Sequence, residues 1–326
     1  MDFLKNFIMK TMSKKLITHD GSFHTDDIFA AATLAIYLEK KSETFSAKGG
    51  PASGWEIIRT RDPEIIKSGD YVFDVGGVYD ADKNKFDHHQ VGGAGRRPAP
   101  PQIEYASFGL VWKKFGTELC SSQKAVDLVD KKLVAPVDAG DNGIDLFELK
   151  SEVGPYLIQN AFSAFVPNWE NTNDESLFSG FLECVEMAKV ILQKEIILAE
   201  SKVEAADKII KIYQNTDDKR IIVLDQKYPY EEIVAEFPEP FFVVYPRADG
   251  FWGAKAQRQD PKSFKNRKDF PKSWAGLRDE EMAKISGVAD AIFCHRGLFM
   301  AVAKSKEGAI RLAQIALEAN NLEPKV

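Results

Sequence analysis

The stretch KKLITHDGSFHTDDIFAAATLAIYLEK, Lys14–Lys40, decides the fold. Its opening residues are apolar and β-branched and run into a polar turn, the pattern of a short strand. From Thr25 onward the apolar residues recur at helical spacing, with Thr and Asp at the start suited to capping the first turn. A strand passing through a polar turn into a helix begins a βα unit. "GWEIIRTRD" and "DYVFDVGG" read as two more short strands, and "SFGLVWKKFG" and "SQKAVDLVDKKLVAPVDAGDNG" as helices. This alternation predicts an α/β protein whose N-terminal sheet is mostly parallel, with helices on both faces. In such sheets the ligand crevice lies at the carboxyl ends of the strands.

Further along, residues 181–213 keep apolar residues at three- and four-residue steps for some thirty positions, more than one compact lobe needs. "RIIVLD", "FFVVYPR", "WGAKAQR", "AIFCHRG" and "LFMAVAK" then read as strands, and "SKEGAIRLAQIALEAN" as a closing helix. The expected organisation is two lobes: a flexible N-terminus over 1–14, a first domain over 15–178, a helical linker over 179–215 and a smaller C-terminal α/β domain over 216–326.

The 326 residues are enough for about two domains with full cores. With 44% hydrophobic and 28% charged residues the composition is that of an ordinary globular protein. A net charge of −6 gives the whole chain no electrostatic reason to coat nucleic acid or anionic membrane, so any polyanion site must be local. Three scattered cysteines argue against a disulfide framework and a cysteine zinc site. No apolar run nears the ~20 residues of a bilayer span. The first fifteen residues are basic but lack the apolar core of a signal peptide and any arginine. A reducing cytoplasm is the expected compartment, with organellar targeting left open.

Four of the five histidines fall in the first ninety residues, beside aspartates at predicted strand ends. His19 and Asp20 follow the first strand, and His24, Asp26 and Asp27 sit at the turn into the first helix. Asp74 ends "YVFD"; Asp87, His88 and His89 follow in "KFDHHQ"; Asp138 and Asp141 lie in "VDAGDNG". Singly, each has an ordinary reading: Asp74 as a turn former before glycine, Asp26 as a helix cap, a lone histidine as a hydrogen-bonded loop residue. Together they would converge on one crevice. Mixed imidazole and carboxylate ligands suit Mn²⁺, Zn²⁺, Fe²⁺ or Co²⁺ better than Mg²⁺ or Ca²⁺. Two such ions ~3.5–4 Å apart clamp the attacking water and leaving oxygen of a phosphoryl displacement.

"DHH" behind "YVFDVGG", with the upstream His/Asp cluster, resembles the DHH phosphoesterase superfamily. More specifically, "THDGSFHTDDIFAAATL", "FDHHQ", "SFGLVWKKFG", "VDAGDNGI", "KSWAGLRDEEMAKISGVADAIFCHRG" and "KEGAIRLA" resemble the melanocyte proliferating gene family, from about Lys15 to Leu317. The resemblance implies a metal-dependent hydrolase, an exonuclease of 3′–5′ type, holding two divalent ions: manganese first, zinc or magnesium as the other choices. By position it implies His19, His24, Asp26, Asp74, His88 and Asp138 as metal ligands, with Asp141 a competitor to Asp138. Asp74, His88 and His89 would be catalytic, Asp74 bridging the ions, His89 facing the substrate phosphate and Asp87 orienting the pair. The usual first motif, His-x-x-x-Asp-x-Asp, is here His19, four residues, His24, Thr25, Asp26. A histidine in place of a carboxylate favours softer ions such as Zn²⁺.

In the second lobe, "HRG" resembles a substrate-contacting turn, which implies phosphate binding by His295 and Arg296, with Gly297 admitting a close backbone approach. Between Lys255 and Lys272 seven Lys/Arg stand against two Asp, flanked or interrupted by Phe251, Trp252, Phe264, Phe270 and Trp274. Cations there, among them Arg258, Lys265 and Arg267, would track a phosphate backbone while aromatic faces stack on unpaired bases. Arg96 and Arg97 would add to the same positive funnel. The expected function is hydrolysis of single-stranded RNA or short oligonucleotides, with no membrane partner and self-association open. A small-anion phosphatase of pyrophosphate or polyphosphate type, or a non-enzymatic metal- or nucleic-acid-binding protein, is the alternative.

Overall fold

The structure is a computed structural model that describes residues 13–41, 54–99, 102–260 and 263–319. It divides into two compact units, residues 1–200 and 201–326. Each carries one five-stranded mixed sheet.

In the first unit β1 (Lys14–Thr18) is an interior strand. It pairs in parallel with β2 (Trp55–Arg59) on one side and β3 (Tyr71–Phe73) on the other. β3 in turn pairs in parallel with β5 (Lys85–Phe86), and β4 (Tyr79–Asp80) closes the edge antiparallel to β5. The order β2-β1-β3-β5-β4 means that the chain leaves β1 toward one edge and returns to its other side. A crevice forms at such a reversal. β1, β3 and β5 are parallel neighbours, so their carboxyl ends share one sheet edge. The residues that follow them there are His19, Asp74 and Asp87. Lys14, expected in the flexible N-terminus, already belongs to β1; residues 1–12 of that segment lie outside the described residues.

Helix α1 (Thr25–Lys41) buries every residue from Thr25 to Ile36. Its alanine run keeps that helix slim, and Phe29 stacks on Phe108 of α3 (Ser107–Leu119) at 5.0 Å. The segment expected as one helix from Ser122 is instead α4 (Gln123–Val129), a π-helical turn (Asp130–Val134) and α5 (Ala135–Asp141). Pro136 has no N–H to give an i−4 carbonyl, and the ladder shifts just before it, Ala135 N–H donating to Asp130 O. α2 (Pro63–Lys67) and α6 (Ile158–Ser163) are short helices that the sequence pattern does not announce.

The long helix is α7, Asp174–Asn215, which starts before the expected Phe181. The boundary between the compact units falls within it, at Glu200/Ser201. In the second unit β6 (Ile221–Val223), β7 (Phe242–Pro246), β8 (Trp252–Ala256), β9 (Ala291–Cys294) and β10 (Met300–Ala303) are ordered β6-β7-β8-β10-β9. Only β6 and β7 pair in parallel. α8 (Glu231–Ala235), α9 (Asp279–Ser286) and α10 (Lys306–Glu318) complete the unit, whose core gathers Phe242, Phe270, Trp274, Met282 and Leu312. Among the described residues no helix is long and apolar enough to cross a membrane.

Candidate metal centre

The strand ends of the first unit bring the histidines and aspartates together. His19 Nδ1–H donates to Asp20 O at 2.8 Å, which leaves Nε2 facing inward. Nε2 lies 3.2 Å from Asp74 Oδ2 and 3.4 Å from Asp27 Oδ2. His88 Nε2 lies 3.4 Å from Asp74 Oδ1 and 3.2 Å from Asp141 Oδ2. Asp74, just past β3, has a positive φ of 55°. Such backbone is sparse for a residue with a Cβ and concentrates at functional sites. It lets Asp74 present one oxygen to each histidine, while Ser107 Oγ donates to Oδ1 at 3.3 Å.

Asp87 organises the double histidine. Its Oδ1 accepts the backbone N–H of His88 (2.8 Å) and of His89 (3.1 Å), and its Oδ2 accepts Gly77 N–H. The same Oδ1 takes the Nδ1–H of His89 at 2.8 Å, so the rest of the His89 ring, with a side chain 62% exposed, is presented to solvent. Asp27 has two tasks: Oδ1 accepts the His24 N–H at 2.9 Å and caps α1, while Oδ2 faces His19. Asp26 is fully buried, and neither of its oxygens meets a donor among the described residues.

Three overlapping groups could each hold a cation, with ligand atoms within 4.8 Å of one another: His19, His24 and Asp74; Asp74, His88 and His89; His24, Asp26 and Asp141. The electrostatics fit this. Burial drives Asp26 well above the usual carboxylate range, and the charges of Asp74 and Asp141 drive it further. Burial, with Asp74 nearby, lifts Asp27 to about 7. Burial alone would push Asp74 up, yet hydrogen bonds from His19 and His88 hold it below the usual range. Burial alone would lower His88, yet Asp141 and Asp74 raise it to about 10. No described ion pair joins Asp26, Asp27, Asp74 or Asp141 to a lysine or arginine. Buried carboxylate oxygens without donors, beside imidazole nitrogens that face inward, are the donor set of a divalent cation once the imidazoles give up their protons.

Asp138 is the exception among the expected ligands. It is buried against Arg97, NH1 to Oδ2 at 2.8 Å, and its Oδ1 accepts the Gly109 N–H at 3.0 Å. Arg97 also grips Asp130 with two hydrogen bonds, at 2.8 and 2.9 Å, and lies over the Tyr105 ring. A Cβ at Gly109 would stand 1.8 Å from Asp138 Oδ2, so the glycine in "SFGLVW" makes room for that carboxylate. The structure thus brings Asp141, one turn further along α5, into the candidate groups and gives Asp138 a guanidinium instead. Arg97 is no part of a positive funnel, being buried, and Arg96 pairs with Glu104.

The second unit also sorts its expected residues. The Arg267 guanidinium donates to the carbonyls of Phe237, Pro240 and Ala235, an internal brace in place of the expected surface cation. Phe270 and Trp274 are core residues, buried where base-stacking faces had been expected. Lys265 and Arg296 are exposed, and Arg258 lies over the exposed Phe264 ring at 4.8 Å. His295 Nδ1 accepts the Gly297 N–H at 2.9 Å, closing the turn between β9 and β10.

Residues 15–317 match the model of the MYG1 exonuclease family, described as an uncharacterised protein family. The chain is 30% identical to the MYG1 exonuclease of Homo sapiens over an alignment of 345 residues that covers 95% of this chain and 87% of the human protein. It is 30% identical to the MYG1 protein YER156C of Saccharomyces cerevisiae, covering 94% and 96% of the two chains. The corresponding protein of Schizosaccharomyces pombe is 28% identical, covering 93% and 97%. The motifs that line the candidate centre and those of the second unit fall inside one continuous match, and the chain belongs to the MYG1 family.

Proposed function

We propose that this chain is a metal-dependent phosphodiesterase of the DHH type, hydrolysing single-stranded RNA or short oligonucleotides. The observation that carries the reading is the charge imbalance of the centre: buried Asp26, Asp27 and Asp74, with Asp141, lie among histidines and, among the described residues, form no ion pair with a lysine or arginine. His19, His24 and Asp74 would hold one cation and His24, Asp26 and Asp141 another, with Asp74 and His88 at the third candidate position. Bound divalent ions supply Lewis acidity and bring the pKa of a water toward neutrality. The exonuclease names of the human and bovine relatives point to phosphodiesters of nucleic acid.

The chain's own residues have distinct tasks in this reading. Asp87 fixes the His89 ring through Nδ1, so that its other nitrogen can meet a phosphate oxygen. Ser107 steadies the shared carboxylate of Asp74. In the second unit Arg296, Lys265 and Arg258 offer cations to a phosphate backbone, and Phe264 an exposed ring to a base. Manganese is the first choice of ion; the histidine at position 24 makes zinc a competitor.

The test is one panel of labelled RNA, single-stranded DNA, dinucleotides, pyrophosphate and polyphosphate, each with Mn²⁺, Mg²⁺ and Zn²⁺. Asp74→Asn is the control, because asparagine tolerates the left-handed backbone that this position requires. RNA or dinucleotide hydrolysis that falls at least ~10³-fold in Asp74→Asn, ~4 kcal/mol of transition-state stabilisation, is the expected result. Turnover of pyrophosphate alone would overturn the nucleic-acid reading, and activity equal in wild type and Asp74→Asn would overturn the centre itself.

A further inference from the structure

Beside the candidate centre the first unit has a cavity of about 400 Å³ that His24 and Asp141 of the centre help to line. Its apolar lining includes Phe23 and Phe162, and its polar lining includes Gln159, Asn160 and Ser163. The volume lies within the ~300–1,000 Å³ of small-molecule sites. No lysine or arginine lines it. A pocket for a phosphate chain needs cations or a fan of backbone donors. One with apolar walls and amide edges suits a neutral ligand that has a flat face and a hydrogen-bonding rim. A nucleoside is such a ligand.

Gln159 is placed for this. Gly140, next to Asp141, has no side chain, and a Cβ there would stand 2.7 Å from Gln159 Nε2. The glycine therefore lets the α6 amide lie directly against α5 at the edge of the centre. Among the described residues the Gln159 amide has no hydrogen-bond partner, whereas Asn160 Oδ1 already accepts the Leu157 N–H at 2.8 Å. Gln159 can thus offer both donor and acceptor to something that enters.

We propose that this cavity binds the nucleoside of the nucleotide being cleaved, with Gln159 hydrogen-bonding its base or ribose, so that the adjoining phosphodiester is delivered to His24 and Asp141. The proposal rests on the phosphodiesterase reading for where the phosphate lies, but not for the chemistry of the pocket. An amide presents either edge after a flip, so the preference among the four bases is weak, within about tenfold. The same pocket gives pyrophosphate and polyphosphate nothing to hold.

Two measurements test it, on wild type, Gln159→Ala and the isosteric Gln159→Glu. In saturation-transfer NMR with adenosine, guanosine, cytidine and uridine, wild type binds at least one nucleoside in the millimolar range, and both variants bind it about tenfold more weakly. In kinetics, kcat/KM of Gln159→Ala on a dinucleotide falls about tenfold, while hydrolysis of bis-p-nitrophenyl phosphate, which has no base or ribose, stays within about twofold. No nucleoside binding by wild type at ~10 mM, or binding equal in wild type and variants, overturns the pocket. So does an equal loss on both esters, which would make Gln159 a support for the centre. Intact, Gln159-dependent nucleoside binding in a protein that cleaves no diester would confirm the pocket and overturn the phosphodiesterase reading alone.

Discussion

Two buried polar clusters lie side by side in the first unit and share helix α5, yet they are built on opposite charge logic. Around Arg97, two carboxylates, Asp130 and Asp138, meet one guanidinium, a backbone N–H and an aromatic face. Around Asp74, the carboxylates of Asp27, Asp74 and Asp141 meet histidines and, among the described residues, form no ion pair with a lysine or arginine, Arg59 acting on Asp27 only through its charge. Ionised carboxylates cost several kcal/mol to bury unless something pairs with them. The first cluster has a guanidinium of its own, although burial still lifts Asp138 to about 7. The second is short of positive charge, and its raised Asp26, Asp27 and His88 show the chain making up the deficit with protons. Asp138 and Asp141, three residues apart, fall on opposite sides of this divide.

The comparison breaks hardest at Arg97. Arg97→Met leaves the buried Asp138 facing no cation, and loss of one partner of a buried pair costs about 3–5 kcal/mol. Urea unfolding of the metal-free protein should show that loss. The double variant Arg97→Met/Asp138→Asn should regain part of it, because the remaining carboxylate, Asp130, is 29% exposed. A loss under ~1 kcal/mol would mean that the guanidinium is not what holds α5 in place.

Next in size is the contrast between the two aspartates of α5. Asp141→Asn should weaken Mn²⁺ binding about 10–100-fold by calorimetry, and Asp138→Asn by no more than about threefold, since Asp138 is engaged by Arg97. The reverse order would return Asp138 to the ligand set.

The strand–helix alternation was legible in the sequence because it is written in local patterns: β-branched runs, then helical spacing, then turn residues. His19, Asp74 and Asp87–His89 were legible as a group because each follows a strand at once, and parallel strands deliver their ends to one edge. The different surroundings of Asp138 and Asp141 were not, because a distant residue, Arg97, pairs with Asp138 and a π-helical turn precedes Pro136. The glycine inside "SFGLVW" was the one local sign of a close approach, but a sequence does not say what approaches. Asp27 suits the first turn of a helix and does cap it; that its second oxygen meets His19 needs the fold. The basic-aromatic stretch was visible, but not that Arg267, Phe270 and Trp274 turn inward while Phe264 stays out.

The smallest effect is at Asp26. Its folded pKa is raised, so the native state holds that proton more tightly than the unfolded chain does. For a carboxylate shifted this way, stability is greatest below the ordinary value near 4 and falls as pH rises through the interval up to the folded value. In chelator-treated protein, Asp26→Asn removes that penalty. Its Tm should exceed wild type by about 3–5 °C at pH 8, ~1–2 kcal/mol, and match it at pH 4. Added Mn²⁺ should then raise the Tm of wild type and leave the variant far less affected, since the stabilisation follows the ion's affinity. A variant less stable than wild type at pH 8 would mean that neighbouring groups hold Asp26 comfortably ionised, and the charge imbalance would cease to argue for a cation. A buried carboxylate whose removal steadies the metal-free fold would be one that the fold retains for what it binds, whereas loss of stability in Asp138→Asn would mark a carboxylate retained for what it holds together.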